Sequence, residues 1–184
     1  MPNHVTNILT VEGDPERISE LKKKIFSEEF GLGTIDFSKI ISIPPSKEKD
    51  WYDWRISHWG TKWNACGYTQ GVDYSECSEF NFLTAWSPPH PVIEKLARVY
   101  PDLAFDHKWA DEDIGYNCGE FKYENGECVD QYYPVSRKEA VEYAASVMYA
   151  EPSDWGLKLN ADGTDYIYDE GIKCETESNM SPCG

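Results

Sequence analysis

The feature that most constrains this chain is a junction that occurs twice: a β-prone run, a helix-entrance signal and an amphipathic helix. In the first, His4 to Glu12 carries Val5, Ile8, Leu9 and Val11 in partial alternation and stops at Gly13. Asp14 then stands as an N-cap before Pro15, and Ile18, Leu21 and Ile25 recur at helical spacing to about Phe26. In the second, Phe80 to Trp86 is the β-prone run and Ser87 the candidate N-cap. Pro88, Pro89 and Pro91 fix the entrance there, and Val92, Leu96 and Tyr100 line one helix face until Pro101 stops it. Strands that feed amphipathic helices bury their apolar faces against them, so a layered α and β architecture follows.

Other segments complete the order. Ile35 to Ile43 reads as a second strand ending at Pro44 and Pro45, and Leu103 to Trp109 as a later one. Thr61 to Thr69 reads as a strand paired with Phe80 to Trp86 through the loop from Gly71 to Glu79. Strand, helix, strand, strand, helix, strand is the order of an α+β, ferredoxin-like split βαβ sandwich. Its antiparallel sheet carries two helices on one face, and an aromatic-rich insertion between the second and third strands folds over the open face or edge. A further hairpin, Tyr116 to Tyr123 with Glu127 to Tyr133, extends the sheet. A third helix follows, opened by a Ser136 and Glu139 capping box, and a C-terminal hairpin flanks Asp162 and Gly163. One domain is expected over residues 1–174, with a polar, aperiodic and disordered tail at 175–184.

With 33 acidic against 17 basic residues, the formal net charge is −16, which opposes direct nucleic-acid binding and association with anionic membranes. The opening carries no basic segment followed by a long apolar one, and no window reaches membrane-spanning length, so a cytoplasmic protein is expected. Its six cysteines, at 66, 77, 118, 128, 174 and 183, are then expected as reduced thiols; none forms a CxxC pair, so no metal and no cofactor are expected.

Four stretches carry a family resemblance: PNHVTNILTVEG, WRISHWGTKWNA, FLTAWSPPHPVIEKLARVYPDLAF and HKWADEDIGYNCGEF. Together they resemble the YubB-type ferredoxin-like domains of phages and plasmids, a family of unknown function, from Met1 to about Gly126. The chain departs from that pattern at His4 and Val5, where the family usually has an aromatic residue and a cysteine. The resemblance implies a ferredoxin-like fold without an iron–sulfur cluster, residence on a mobile element, and no established activity. It supplies no catalytic residue.

Five of the seven tryptophans lie in Trp51 to Ala65 and Phe80 to Pro91. With Trp51 in the same constellation, Trp54, Arg55, Trp59, Lys62, Trp63, Asn64, Trp86 and Ser87 therefore form the candidate ligand-binding set: indoles to stack a ring, two cations and a helix entrance to hold an anion. A closed auxiliary core with Arg55 and Lys62 covering the indoles uses the same residues, as does a protein interface anchored by Trp and Arg. Asp106, His107, Asp111, Glu112 and Asp113, with His90 more remote, form a second constellation, which solvated loop carboxylates explain without acid–base chemistry.

Three functions are therefore expected in decreasing order. The first is a non-enzymatic accessory protein that binds a small, nucleotide-like aromatic anion, as in counter-defence. The second is an acidic interaction protein that blocks a host protein as a decoy of nucleic acid, and the third a hydrolase.

Overall fold

The first junction folds as its residues dictate. β1 (His4–Glu12) runs into α1 (Pro15–Ile25), whose Asp14 carboxylate accepts hydrogen bonds from the amides of Glu16 and Arg17. The computed structural model describes residues 3–169, so the tail expected at 175–184 lies outside the described residues.

Beyond α1 the chain departs from the expected order. Ile35 to Ile43 is not a strand; it contains the short helix α2 (Phe37–Ile40), capped by the Asp36 carboxylate, which accepts from the Ser38 amide. Such a local side-chain cap competes with a strand ladder, and Ile35 and Phe37 are buried as core residues instead. A 3-10 turn (Pro45–Asp50) leads into α3 (Trp51–Trp59). The second strand of the ferredoxin-like pattern is β2 (Cys66–Thr69). The aromatic insertion therefore lies between the first helix and the second strand, not between the second and third strands.

β3 (Asp73–Tyr74) and β4 (Cys77–Ala85) follow, and then α4 (His90–Val99), β5 (Ala104–Asp111), β6 (Cys118–Glu124), β7 (Glu127–Tyr132) and α5 (Arg137–Val147). A separate hairpin, β8 (Leu157–Leu159) with β9 (Tyr166–Tyr168), closes the described chain. The main sheet runs β2-β4-β1-β5-β6-β7, with β3 also paired to β4 and every pairing antiparallel. Its β2-β4-β1-β5 part is the ferredoxin-like order, and the β6-β7 hairpin extends it as expected.

Register assigns the faces. Leu9 lies opposite Phe80 and His107, and Val11 opposite Phe105, so these residues share the face that packs with α1 and α4 residues Leu21, Ile93 and Leu96 in the main core. On the other face Ile8, Ala110 and Cys118 form a second core with Val141, Ala144 and Ala145 of α5. The third helix, not the insertion, thus covers part of the face expected to be open. At its start the Ser136 hydroxyl accepts from the Glu139 amide, while the Glu139 carboxylate accepts from the Val135 amide and the Tyr132 hydroxyl.

Cys77, Cys118 and Cys128 are free thiols.

Candidate functional site

The aromatic insertion has an inner and an outer layer, and helical spacing separates them. In α3, Trp54 and Trp59 are buried beside Phe37, with Trp59 wholly so, and the Trp59 indole donates to the Ile41 carbonyl at 2.9 Å. Asn64 closes the same layer: its Oδ1 accepts from the amides of Phe37 and Ala65, and its Nδ2 donates to Asp36. Trp59 and Asn64 thus have their polar groups committed to protein partners, and the Trp54 ring is buried against Trp59.

Gly60 ends α3 in the left-handed region at φ 80°. A Cβ there would meet Pro91 Cδ at 3.0 Å and the Pro88 carbonyl oxygen at 3.3 Å. Only glycine fits both the turn and this close approach, which seats the insertion against the entrance of α4. Thr61 adds a second tie, with its hydroxyl donating to the Ala85 carbonyl and accepting from the Ala85 amide.

The outer layer is a contact row of rings and cations. Arg55 sits one helical turn from both Trp51 and Trp59, and its guanidinium lies 4.9 Å and 4.8 Å from their ring centres. Trp51 meets Tyr52 edge-on at 5.9 Å, and Tyr52 meets Trp86 edge-on at 6.5 Å. Lys62 holds its ammonium between Trp86, at 5.2 Å, and Trp63, at 5.3 Å. Trp51, Tyr52 and Trp86 are 39%, 41% and 42% exposed, so this layer is surface.

Arg55 differs in its contacts from the other arginines, and Lys62 lies between rings rather than beside a carboxylate. Among the described residues neither forms an ion pair or donates a hydrogen bond to the protein. Arg17, Arg98, Arg137 and several lysines, in contrast, do pair with carboxylates. Burial lowers the pKa of Arg55, and its Nε is buried without a partner. An indole face compensates part of the desolvation of a cation but supplies no acceptor.

Trp86 is held in place by its backbone. Its φ of 66° is strained for a residue with a side chain. Its amide donates to the Asn3 carbonyl, and its own carbonyl accepts from Asn117 Nδ2 at 3.0 Å. The buried Asp111 carboxylate accepts from Asn3, from Asn117 and from the Asp113 amide. Glu112 pairs with His4, whose ring lies 6.1 Å from Trp63. The acidic loop is therefore not merely solvated: Asp111 braces the outer layer. Nothing in the sequence order signals this link, because Asn117 reaches Trp86 across 31 positions and Asn3 reaches Asp111 across 108.

The helix entrance differs from expectation. α4 begins at His90 with Pro89 as its cap, so Ser87 is not the N-cap; its carbonyl accepts from the Thr84 hydroxyl instead. Pro89 and Pro91 have no amide hydrogen, and the Val92 and Ile93 amides are already bonded to the Pro89 carbonyl. Free amides for an anion are thus largely missing there. His90 turns inward, stacking on Phe121 at 4.5 Å and meeting His107 at 5.7 Å. His107 is wholly buried and its Nε2 bonds the Asn7 side chain. Burial pushes the His90 pKa down to about 4 and that of His107 well below the usual value. By strand alternation Asp106 faces the opposite side of the sheet from His107, so the second constellation does not converge.

Clefts of about 260 Å³ between α1 and β3, and about 370 Å³ beside Gly33 and Tyr68, lie outside the row. Among the described residues no three His, Cys, Asp or Glu side chains gather as a metal site, and no helix is long and apolar enough to cross a membrane.

The model of the ferredoxin-like domain in Api92-like proteins matches residues 58–151, just over half of the chain. The chain belongs to that family. The matched stretch contains Lys62, Trp63, Trp86, Asp111 and Asn117, and begins after Arg55. The chain is also similar to the crystal structure of a protein api92 from Yersinia pseudotuberculosis, at 18% identity and a TM-score of 0.48. That likeness covers 55% of this chain and 40% of the other, so the chain spans less than half of that protein's length. No curated protein matches the sequence.

Proposed function

We propose that this protein is a non-enzymatic accessory protein of a phage or other mobile element, and that it acts by binding a nucleotide-like ligand on the outer ring-and-cation row. One observation carries the reading: Arg55 and Lys62 lie on indole faces with no carboxylate or carbonyl of the described residues as acceptor. In a chain of net charge −16, a cation without an internal acceptor is available to an anion from outside. The exposed rings of Trp51, Tyr52 and Trp86 supply stacking surface beside it. Trp54, Trp59 and Asn64 support this surface from beneath, and Ser87 serves the turn that presents Trp86. The mobile-element setting rests on the resemblance of the WGTKWNA and TAWSPP stretches to YubB-type domains.

The test is titration of a nucleotide panel while tryptophan emission is followed. Quenching that Lys62→Met removes without lowering the melting temperature is the expected result; an unchanged emission across the panel refutes the proposal. The net charge supports a second reading, in which the acidic surface occupies a basic groove of a host protein. That reading requires a captured complex that dissociates with added salt.

A further inference from the structure

We infer that the outer row is a two-point site and that its ligand is a dinucleotide, two base-bearing units joined through phosphate. This rests on the nucleotide reading above and names the ligand class. The cations stand on different rings: Arg55 on Trp51 and Trp59, Lys62 on Trp63 and Trp86. Tyr52 separates the two groups, touching Trp51 on one side and Trp86 on the other. A ligand that engages both cations therefore has to pass Tyr52.

The two ends also differ in chemistry. Arg55 offers the outer nitrogens of a planar guanidinium whose Nε is buried, with no donor used by the protein, whereas Lys62 is a point charge flanked by indoles. Stacking positions lie beside both, at Trp51 and at Trp86, each partly exposed. Joining two weakly held units converts the second contact into an intramolecular one and raises affinity without any new group on the protein. The acidic field sets the upper length. Every phosphate beyond those met by Arg55 and Lys62 adds repulsion from the remaining surface, so a long single strand is disfavoured.

Trp86 is the hinge of the scheme. Asn117 and Asn3 hold its strained backbone from the Asp111 carboxylate, which keeps the Lys62 end of the row in register with the Arg55 end.

Calorimetric titration of the full chain with a nucleoside monophosphate, with linear and cyclic dinucleotides of the same base, and with a ten-residue single strand tests the inference. A dinucleotide should bind at least about tenfold more tightly than the monophosphate. Arg55→Met and Lys62→Met, which keep the apolar stems, should each bring the dinucleotide down to the monophosphate level. Equal affinity for monophosphate and dinucleotide overturns the two-point site and leaves the nucleotide reading standing. Tighter binding of the ten-residue strand overturns the length limit and with it the dinucleotide assignment. Absence of binding by every nucleotide overturns both proposals. Circular dichroism of the two variants, whose substitutions lie at opposite ends of the row, separates loss of contact from loss of fold.

Discussion

The inner and outer layers around the aromatic insertion both rest on tryptophans, yet the polar groups beside those rings are used in opposite ways. Below, the Trp59 indole, the Asn64 amide and the Thr61 hydroxyl each have protein partners. Above, Arg55 and Lys62 have only rings. Hydrophobicity alone does not separate a tryptophan that closes a core from one that meets a ligand; an account of donors and acceptors does.

The sharpest way to break this distinction is to remove one indole from each layer. Trp59→Ala should destabilise the protein by about 3–5 kcal/mol, since it opens a cavity in a closed site and strands the Ile41 carbonyl. Chemical denaturation measures it, and a loss below about 1 kcal/mol would show that the inner layer is not core. Next in size, Asn64→Ala leaves the Phe37 amide without its acceptor and should cost about 1–3 kcal/mol by the same measurement.

Asp111→Ala tests whether the acidic loop braces the outer layer. A loss of about 1–2 kcal/mol is expected from the freed Asn3 and Asn117 contacts. The discriminating readout is a shift in tryptophan emission as Trp86 leaves its position; unaltered emission argues that Asp111 does not position the ring.

Two buried histidines and a half-buried aspartate outside the insertion make stability depend on pH in opposite directions. His90 and His107 have folded pKa values below their unfolded values, so the stability they contribute is present above about pH 6.5 and is lost as pH falls, for His90 through about 4. Asp106 behaves oppositely. Burial raises its pKa to about 6, against the attraction of Lys108, so ionising it lowers stability as pH rises through that value. Asp106→Asn should therefore stabilise the protein by about 1 kcal/mol at pH 7, and by little at pH 4. Melting curves at the two values decide it; an equal effect at both excludes the titration.

The smallest expected effect on stability belongs to the outer layer. Lys62→Met and Trp86→Ala should each change stability by no more than about 1 kcal/mol, because they remove surface contacts. Both should still abolish nucleotide-induced quenching. A large loss of stability in either would merge the two layers into one structural unit.

Much of the scaffold was legible in the residues. Asp14 and Pro15 start α1, Pro101 follows the end of α4, and the alternation of Val5, Leu9 and Val11 places them on the helix-covered face, because caps, proline sterics and strand periodicity act over a few positions. Ile35 to Ile43 misled because alternation reports burial on one side, not ladder pairing; Asp36 supplied a local cap that turned the segment into a helix. Ser87 misled because three nearby prolines delay the helix and leave Pro89 as its cap. Tyr52 and Asn117 were not singled out from the residues. Tyr52 was visible as a neighbour of Arg55 at helical spacing, whereas Asn117 meets Trp86 only across the fold.

Local chemistry along the chain was enough to specify an α+β sandwich with an aromatic insertion. It could not say which tryptophans face inwards or which cations lack an acceptor. Those properties depend on the docking of α3 against α4 through Gly60 and on the Asp111 contacts to Asn3 and Asn117. Exposure and hydrogen-bond satisfaction belong to groups distant in sequence, so packing had to assign them before the row of rings and cations could be recognised.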